Sequence, residues 1–132
     1  MAVGTATFTY TEHATVNKMS IDWTASSSGI VPATASKIIS GELLRCVFVP
    51  DGGGTAPTNN YNMTIVDSES VDVLSGNGAN LSSTVTKSIV PCEEMLSGGS
   101  SGVAKFAIMS ALTISASNCG ASNGGNVHIY YR

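Results

Sequence analysis

Lys18-Met19-Ser20-Ile21-Asp22-Trp23-Thr24 alternates polar and apolar side chains without interruption. A strand sends successive side chains to opposite faces, so Met19, Ile21 and Trp23 face a core while Lys18, Ser20 and Asp22 face away from it. The same two-residue period recurs in Tyr61-Asn62-Met63-Thr64-Ile65 and in Leu112-Thr113-Ile114-Ser115-Ala116. Val127-His128-Ile129-Tyr130-Tyr131 alternates too, with aromatic rings on both faces, and the N-terminal part sets Thr5, Thr7 and Thr9 against Ala6, Phe8 and Tyr10.

One segment departs from the period. Leu43-Leu44-Arg45-Cys46-Val47-Phe48-Val49 is almost continuously apolar. It reads as a central strand covered on both faces, or with one face covered by a partner subunit, and it is ended by Pro50, which cannot donate to a ladder. Turn chemistry separates the strands at Ser26-Ser27-Ser28-Gly29, Asp51-Gly52-Gly53-Gly54, Gly76-Asn77-Gly78, Ser97-Gly98-Gly99-Ser100-Ser101-Gly102 and Asn123-Gly124-Gly125-Asn126. Cys92-Glu93-Glu94-Met95-Leu96 is the one stretch with a helical look, a turn or so at most. About eight strands at this spacing predict an all-β fold, a single antiparallel β-sandwich, jelly-roll-like, over residues 1–132. Residues 1–12 are expected as an edge strand or an arm exchanged with a neighbour.

Composition narrows the function. Of the 132 residues only 11% are charged, against roughly 25% in an average domain. The net charge is −3, and the chain holds 14 glycines and 32 serines and threonines. Six basic residues against nine acidic ones give no basic stripe for nucleic acid. A hydrophobic content of 42% excludes wholesale disorder. No apolar run approaches the roughly 18 residues of a membrane helix. Met1-Ala2-Val3-Gly4-Thr5-Ala6-Thr7 lacks the basic and apolar parts of a signal peptide. With three cysteines in no metal spacing (Cys46, Cys92 and Cys119), that points to a reducing cytosolic birthplace. Threonine fits a pleated strand and wets its outer face without charge. Isolated sheets use charged side chains to block edge-to-edge pairing, so their scarcity here suggests a surface covered in an assembly.

Few residues are arranged for chemistry. His128, Asp72 and a serine could make up a triad, but no Gly-x-Ser-x-Gly elbow supports it. Gly76-Asn77-Gly78 lacks the third glycine of a dinucleotide fingerprint. Asp51, Asp67 and Asp72 do not have the spacing of a calcium loop and read as turn residues bonded to their own backbone. Cys46 reads as a small buried hydrophobe. No catalytic, cofactor or metal site is expected, and no enzyme activity.

The segment Val47-Phe48-Val49-Pro50-Asp51-Gly52-Gly53-Gly54-Thr55-Ala56-Pro57-Thr58-Asn59-Asn60-Tyr61, followed by Thr64-Ile65-Val66-Asp67 and by 71–82, resembles small virion structural proteins of tailed bacteriophages. Ile21-Asp22-Trp23-Thr24 before its Ser/Gly turn, and the closing Gly125-Asn126-Val127-His128-Ile129-Tyr130-Tyr131-Arg132, resemble them too. The resemblance implies a protein made in the bacterial host cytoplasm and resident on the virion. A capsid cement or decoration protein is the first expectation, bound to the major capsid protein lattice and self-associated as a homotrimer. A tail, head-tail junction or fibre-attachment component is the second. A carbohydrate-binding module using Tyr10, Trp23, Tyr61, Tyr130 and Tyr131 is the alternative from another class. Neither nucleic acid nor membrane is expected as a partner. The candidate contact residues are Asp51, Thr55, Pro57, Asn59 and Tyr61 in one loop, and Asn77, Asn80 and Leu81 in the other, because these loops are long and poor in charge.

Overall fold

Met19, Ile21 and Trp23 are sealed from solvent, while Asp22 and Thr24 between and beside them are exposed. They belong to β2 (Asn17–Thr24), one of ten strands among the described residues. The structure is a computed structural model and describes residues 3–97 and 100–132, with side chains described for all of these except 92–105. The other strands are β1 (Thr5–Thr11), β3 (Val31–Ala35), β4 (Ile39–Pro50), β5 (Asn62–Val66), β6 (Lys87–Ile89), β7 (Cys92–Ser97), β8 (Ser100–Ser110), β9 (Thr113–Ser117) and β10 (Gly124–Tyr131).

All pairings are antiparallel. The larger sheet runs β1-β2-β10-β4-β8-β7, with β6 also on β4, and the smaller runs β3-β9-β5. One cluster of buried side chains joins them: Ile21, Phe48 and Ile129 from the larger sheet meet Val31, Ile65 and Ile114 from the smaller. The fold is therefore all-β and sandwich-like, built as the alternation demands, with each sheet turning its apolar face inward. Trp23 and Tyr61 lie at the centre with ring centroids 5.5 Å apart.

The unbroken apolar run is explained by β4. Tyr130 pairs with Arg45 but Tyr131 pairs with Leu43, so Leu44 is an extra residue without a counterpart on β10. This bulge resets the alternation. Leu43, Cys46 and Phe48 face the core and Arg45 faces out. Val47, also on the outward side, is 7% exposed and stands outside the core cluster. β10 flanks one edge of β4, while β8 and β6 divide the other between Ile39–Leu43 and Cys46–Phe48.

Several expectations are corrected. Cys92-Glu93-Glu94-Met95-Leu96 is strand, within β7, because five residues nucleate a helix poorly and a partner in β8 supplies a ladder. Residues 100–102, read as turn, already belong to β8. The strand number rises from about eight to ten. β6 has three residues and β3 contains Pro32, so both carry little periodic signal. Gly124 and Gly125 belong to β10 rather than to a turn. A Cβ on Gly125 would stand 2.8 Å from the Val49 carbonyl oxygen and 3.1 Å from the Trp23 ring. Their glycine character answers to close packing inside a strand. Residues 5–11 pair with the chain's own β2 at the edge of the larger sheet.

Candidate interaction surface

The two predicted loops are built largely from their own hydrogen bonds. Pro57, Tyr61 and Leu81 are buried. Tyr61 and Leu81 form an isolated antiparallel bridge, with the Leu81 amide donating to the Tyr61 carbonyl at 2.8 Å. Burial, and then Cys119, pushes the Tyr61 hydroxyl up to about 12, so it stays protonated. Tyr61 and Leu81 therefore belong to the core cluster, and Pro57 is buried beside exposed neighbours. Thr55, Asn59, Asn77 and Asn80 are exposed and Asp51 half-buried. Asn59 Oδ1 accepts the Ser83 amide at 3.3 Å, and the Asn80 amide donates to Asn62 Oδ1 at 2.9 Å, tying the two loops together. The Asn77 side-chain amide donates to the Leu74 carbonyl at 2.9 Å, and Lys87 Nζ donates to the Asn77 carbonyl at 2.8 Å.

The turn aspartates behave as their sequence context indicated. Asp67 Oδ1 accepts the amides of Glu69 and Val71, and the Asp72 carboxylate accepts those of Leu74 and Gly76. Asp51 is different. Burial, and then the negative charge of Asp22, hold its carboxyl above the usual range.

The outer face of the larger sheet is the surface that the sequence search did not single out. Cross-strand register lines up Thr7, Asp22, Asn126 and Val49 in one row. The next row is Thr9, Ser20, His128, Val47 and Ser88, and a third is Thr11, Lys18, Tyr130 and Arg45. Directly opposed side chains in such rows touch. Ser20 Oγ and His128 Nδ1 are 3.0 Å apart. Tyr130 lies between two cations, with Lys18 Nζ 5.7 Å and Arg45 Cζ 5.5 Å from its ring centre. Arg45 Nε donates to Ser88 Oγ at 2.9 Å. Burial, and then Lys18, hold the His128 imidazole below its usual value, so it is neutral at pH 7. The signal for this surface was present in the polar face of Val127-His128-Ile129-Tyr130-Tyr131, but only register brings Lys18 and Arg45 to Tyr130.

Its chemical capacity is modest. Ser20 and His128 are cross-strand neighbours, and Asp72, the third member a triad would need, is bonded to its own turn. Among the described residues no three metal-ligating side chains gather at one point. Cys46 and Cys119 are fully buried, and desolvation pushes their thiols up to about 12 and about 11, leaving them unreactive. An open cleft of about 470 Å³ is lined by Glu12, His13, Asn17, Lys37 and Tyr131 among others. Its lining includes the ion pair Lys37–Glu12 at 2.6 Å, both side chains half in solvent. Of the five aromatics that a sugar platform would use, Trp23, Tyr61 and Tyr131 are buried, leaving Tyr10 and Tyr130 half-exposed on different faces of the larger sheet.

No family model matches the chain, and neither a curated protein nor a solved structure matches it.

Proposed function

We propose that this chain is a virion structural protein of a tailed bacteriophage, a capsid cement or decoration protein that binds the major capsid protein lattice from outside and stabilises the shell. It is made in the host cytoplasm and works through contact rather than catalysis. The observation that carries this is the surface. Thr5, Thr7, Thr9 and Thr11 line the outer side of β1, and Ser20, Thr24, Asn126 and Ser88 continue the hydroxyl and amide cover across the sheet. An isolated soluble sheet fills such positions with charge. Among the described residues there is one ion pair, while Ile38 at 72%, Val90 at 71% and Met109 at 82% stand exposed. Surfaces of this kind suit many weak contacts repeated by symmetry. The resemblance of the 47–82 segment to phage virion proteins supplies the particular assembly, including the homotrimer that such subunits form.

Locating the protein on purified particles by electron cryo-microscopy tests this directly. Density at every repeat of the capsid lattice, with loss of heat resistance in particles lacking the protein, is the expected result. A single ring at one vertex, with intact shells that fail to attach tails, would replace cement with a tail or junction role. Absence from the particle would end the virion reading altogether.

A further inference from the structure

β1 reads Thr5-Ala6-Thr7-Phe8-Thr9-Tyr10-Thr11, a sequence that is nearly its own mirror image. We infer that β1 is a two-fold docking edge, and that its occupant is β1 of a second copy of this chain, paired antiparallel about Phe8. In that register Phe8 faces Phe8, Thr7 faces Thr9, Thr5 faces Thr11, and Ala6 faces Tyr10. Every threonine meets a threonine, the smallest apolar side chain meets the largest, and all seven residues pair.

Three observations converge on this edge. First, it is open. β1 is the terminal strand of its sheet, and among the described residues its backbone makes hydrogen bonds only to β2. Half of its amide and carbonyl groups thus face away from β2 with no protein partner. Second, it is unguarded. Charged side chains, prolines and bulges protect natural edges, and β1 contains none of them. The neighbouring edge strand β3 offers exposed Pro32, Ala33 and Ala35, with no charge or bulk to hold a second copy off. Lys37 Nζ lies 4.3 Å from the centre of the Tyr10 ring and pairs with Glu12, so this cation, at the Tyr10 end of the edge, is neutralised by its own partner. Third, its apolar row is unfinished. Ala6, Phe8 and Tyr10 pack on the core yet remain half-buried, although β3 approaches β1 and the Tyr10 hydroxyl accepts the Lys37 amide. A second β1 places an identical row alongside and covers what is left.

Self-complementarity identifies the occupant. A contact in which residue i meets j and j meets i belongs to a two-fold axis, whereas a trimer joins two different patches head to tail. Cross-strand aromatic pairs and Thr–Thr pairs each favour the union. This inference stands whether or not the chain belongs to a virion. A seven-residue strand pair lies below the ~1,000 Å² of a strong interface, so the expected Kd is roughly 10 μM to 1 mM.

Sedimentation equilibrium over a concentration series reads the association, with circular dichroism checking the fold of each variant. The expected result is a concentration-dependent association through β1, separate from any trimer contact of the proposed function, that the double variant Thr7→Lys/Thr9→Lys weakens about tenfold or more, since it opposes lysines in two pairs. Register is read by oxidation. Phe8→Cys chains cross-link to each other, and so do Thr7→Cys chains mixed with Thr9→Cys chains, while Thr5→Cys alone stays at the wild-type level. A wild-type chain that remains monomeric at about 1 mM overturns the inference. So does association that the lysine pair leaves unchanged, or cross-linking by Thr5→Cys equal to that of Phe8→Cys.

Discussion

β1 and β2 lie side by side and follow the same two-residue rule, yet their inner rows end up in different environments. Met19, Ile21 and Trp23 in β2 are at most 1% exposed. Ala6, Phe8 and Tyr10, one strand over, are only partly covered. The difference lies in neighbours rather than in pattern. β2 has β1 on one side and β10 on the other, and its inner row belongs to the core cluster shared with β3, β5 and β9. β1 has one neighbour and lies at the rim of that cluster. Alternation fixes which way a side chain points, while position in the sheet fixes how far it is buried.

The largest expected effect breaks the buried side of this comparison. Trp23→Ala removes the largest fully buried side chain and opens a cavity against Tyr61, Gly125 and their neighbours. A loss of about 3–5 kcal/mol in urea denaturation is expected. Among the described residues the Trp23 Nε1 donor has no hydrogen-bond partner, so packing rather than a hydrogen bond accounts for the cost. A loss below about 1 kcal/mol would mean that the inner row of β2 is no better covered than that of β1.

Second in size is a backbone test of a strand flanked on both sides. Gly41 in β4 pairs with Ile108, has φ +122°, and a Cβ there would collide with the Arg132 carbonyl. Glu42 exchanges backbone hydrogen bonds with Arg132, so the residue that follows β10 flanks β4 at this point. Gly41→Ala is expected to cost about 1–3 kcal/mol. Gly54→Ala, in open space beyond the strand, is expected to stay within about 0.5 kcal/mol. Equal effects at the two sites would remove the distinction between flanked strand and free loop.

Phe8→Ala sharpens the comparison from the exposed side. Half-covered, Phe8 is expected to contribute about 1–2 kcal/mol, well short of Trp23. Measured at rising protein concentration, the gap to wild type should widen if a second β1 completes the burial, because association adds to the stability of the associating form.

Much of this contrast was legible in the chain. Met19-Ser20-Ile21-Asp22-Trp23 states its own faces, and so do Met63, Ile65, Ile114 and Ile129. What one strand cannot state is its place in a sheet. Tyr61 and Leu81 lie in loops that read as contact surface because they are long and poor in charge, but the bridge between them folds both inward. The extra residue at Leu44 hid two alternating halves inside one apolar run. β6 has three residues and a partner distant in sequence, so its composition carries no periodic signal, while β7 takes its ladder from β8, the strand that follows it, which the composition of Cys92-Glu93-Glu94-Met95-Leu96 does not announce. The Lys18, Tyr130 and Arg45 group required the register of three strands, which no single segment contains.

The smallest expected effect concerns the outer faces, where the same two strands differ again. β1 shows solvent only threonines, whereas Ser20 on β2 is part-buried against His128. Burial and Lys18 hold the folded imidazole below the ordinary value of 6.5. The unfolded chain therefore takes up its proton first as pH falls. Stability contributed by neutral His128 is complete above pH 6.5 and declines as the pH drops through 6.5 toward the lower folded value. His128→Gln, which cannot titrate, should remove that part of the pH dependence. The Tm difference between wild type and variant should then shift by about 1–3 °C between pH 7.5 and 5, a small change because the ring is only partly desolvated. Thr9→Gln, the row neighbour of Ser20 on exposed β1, should leave the pH profile of wild type unchanged. If both variants have the same profile, the two outer faces are equally wet, and the contrast between β1 and β2 is confined to the side facing the core.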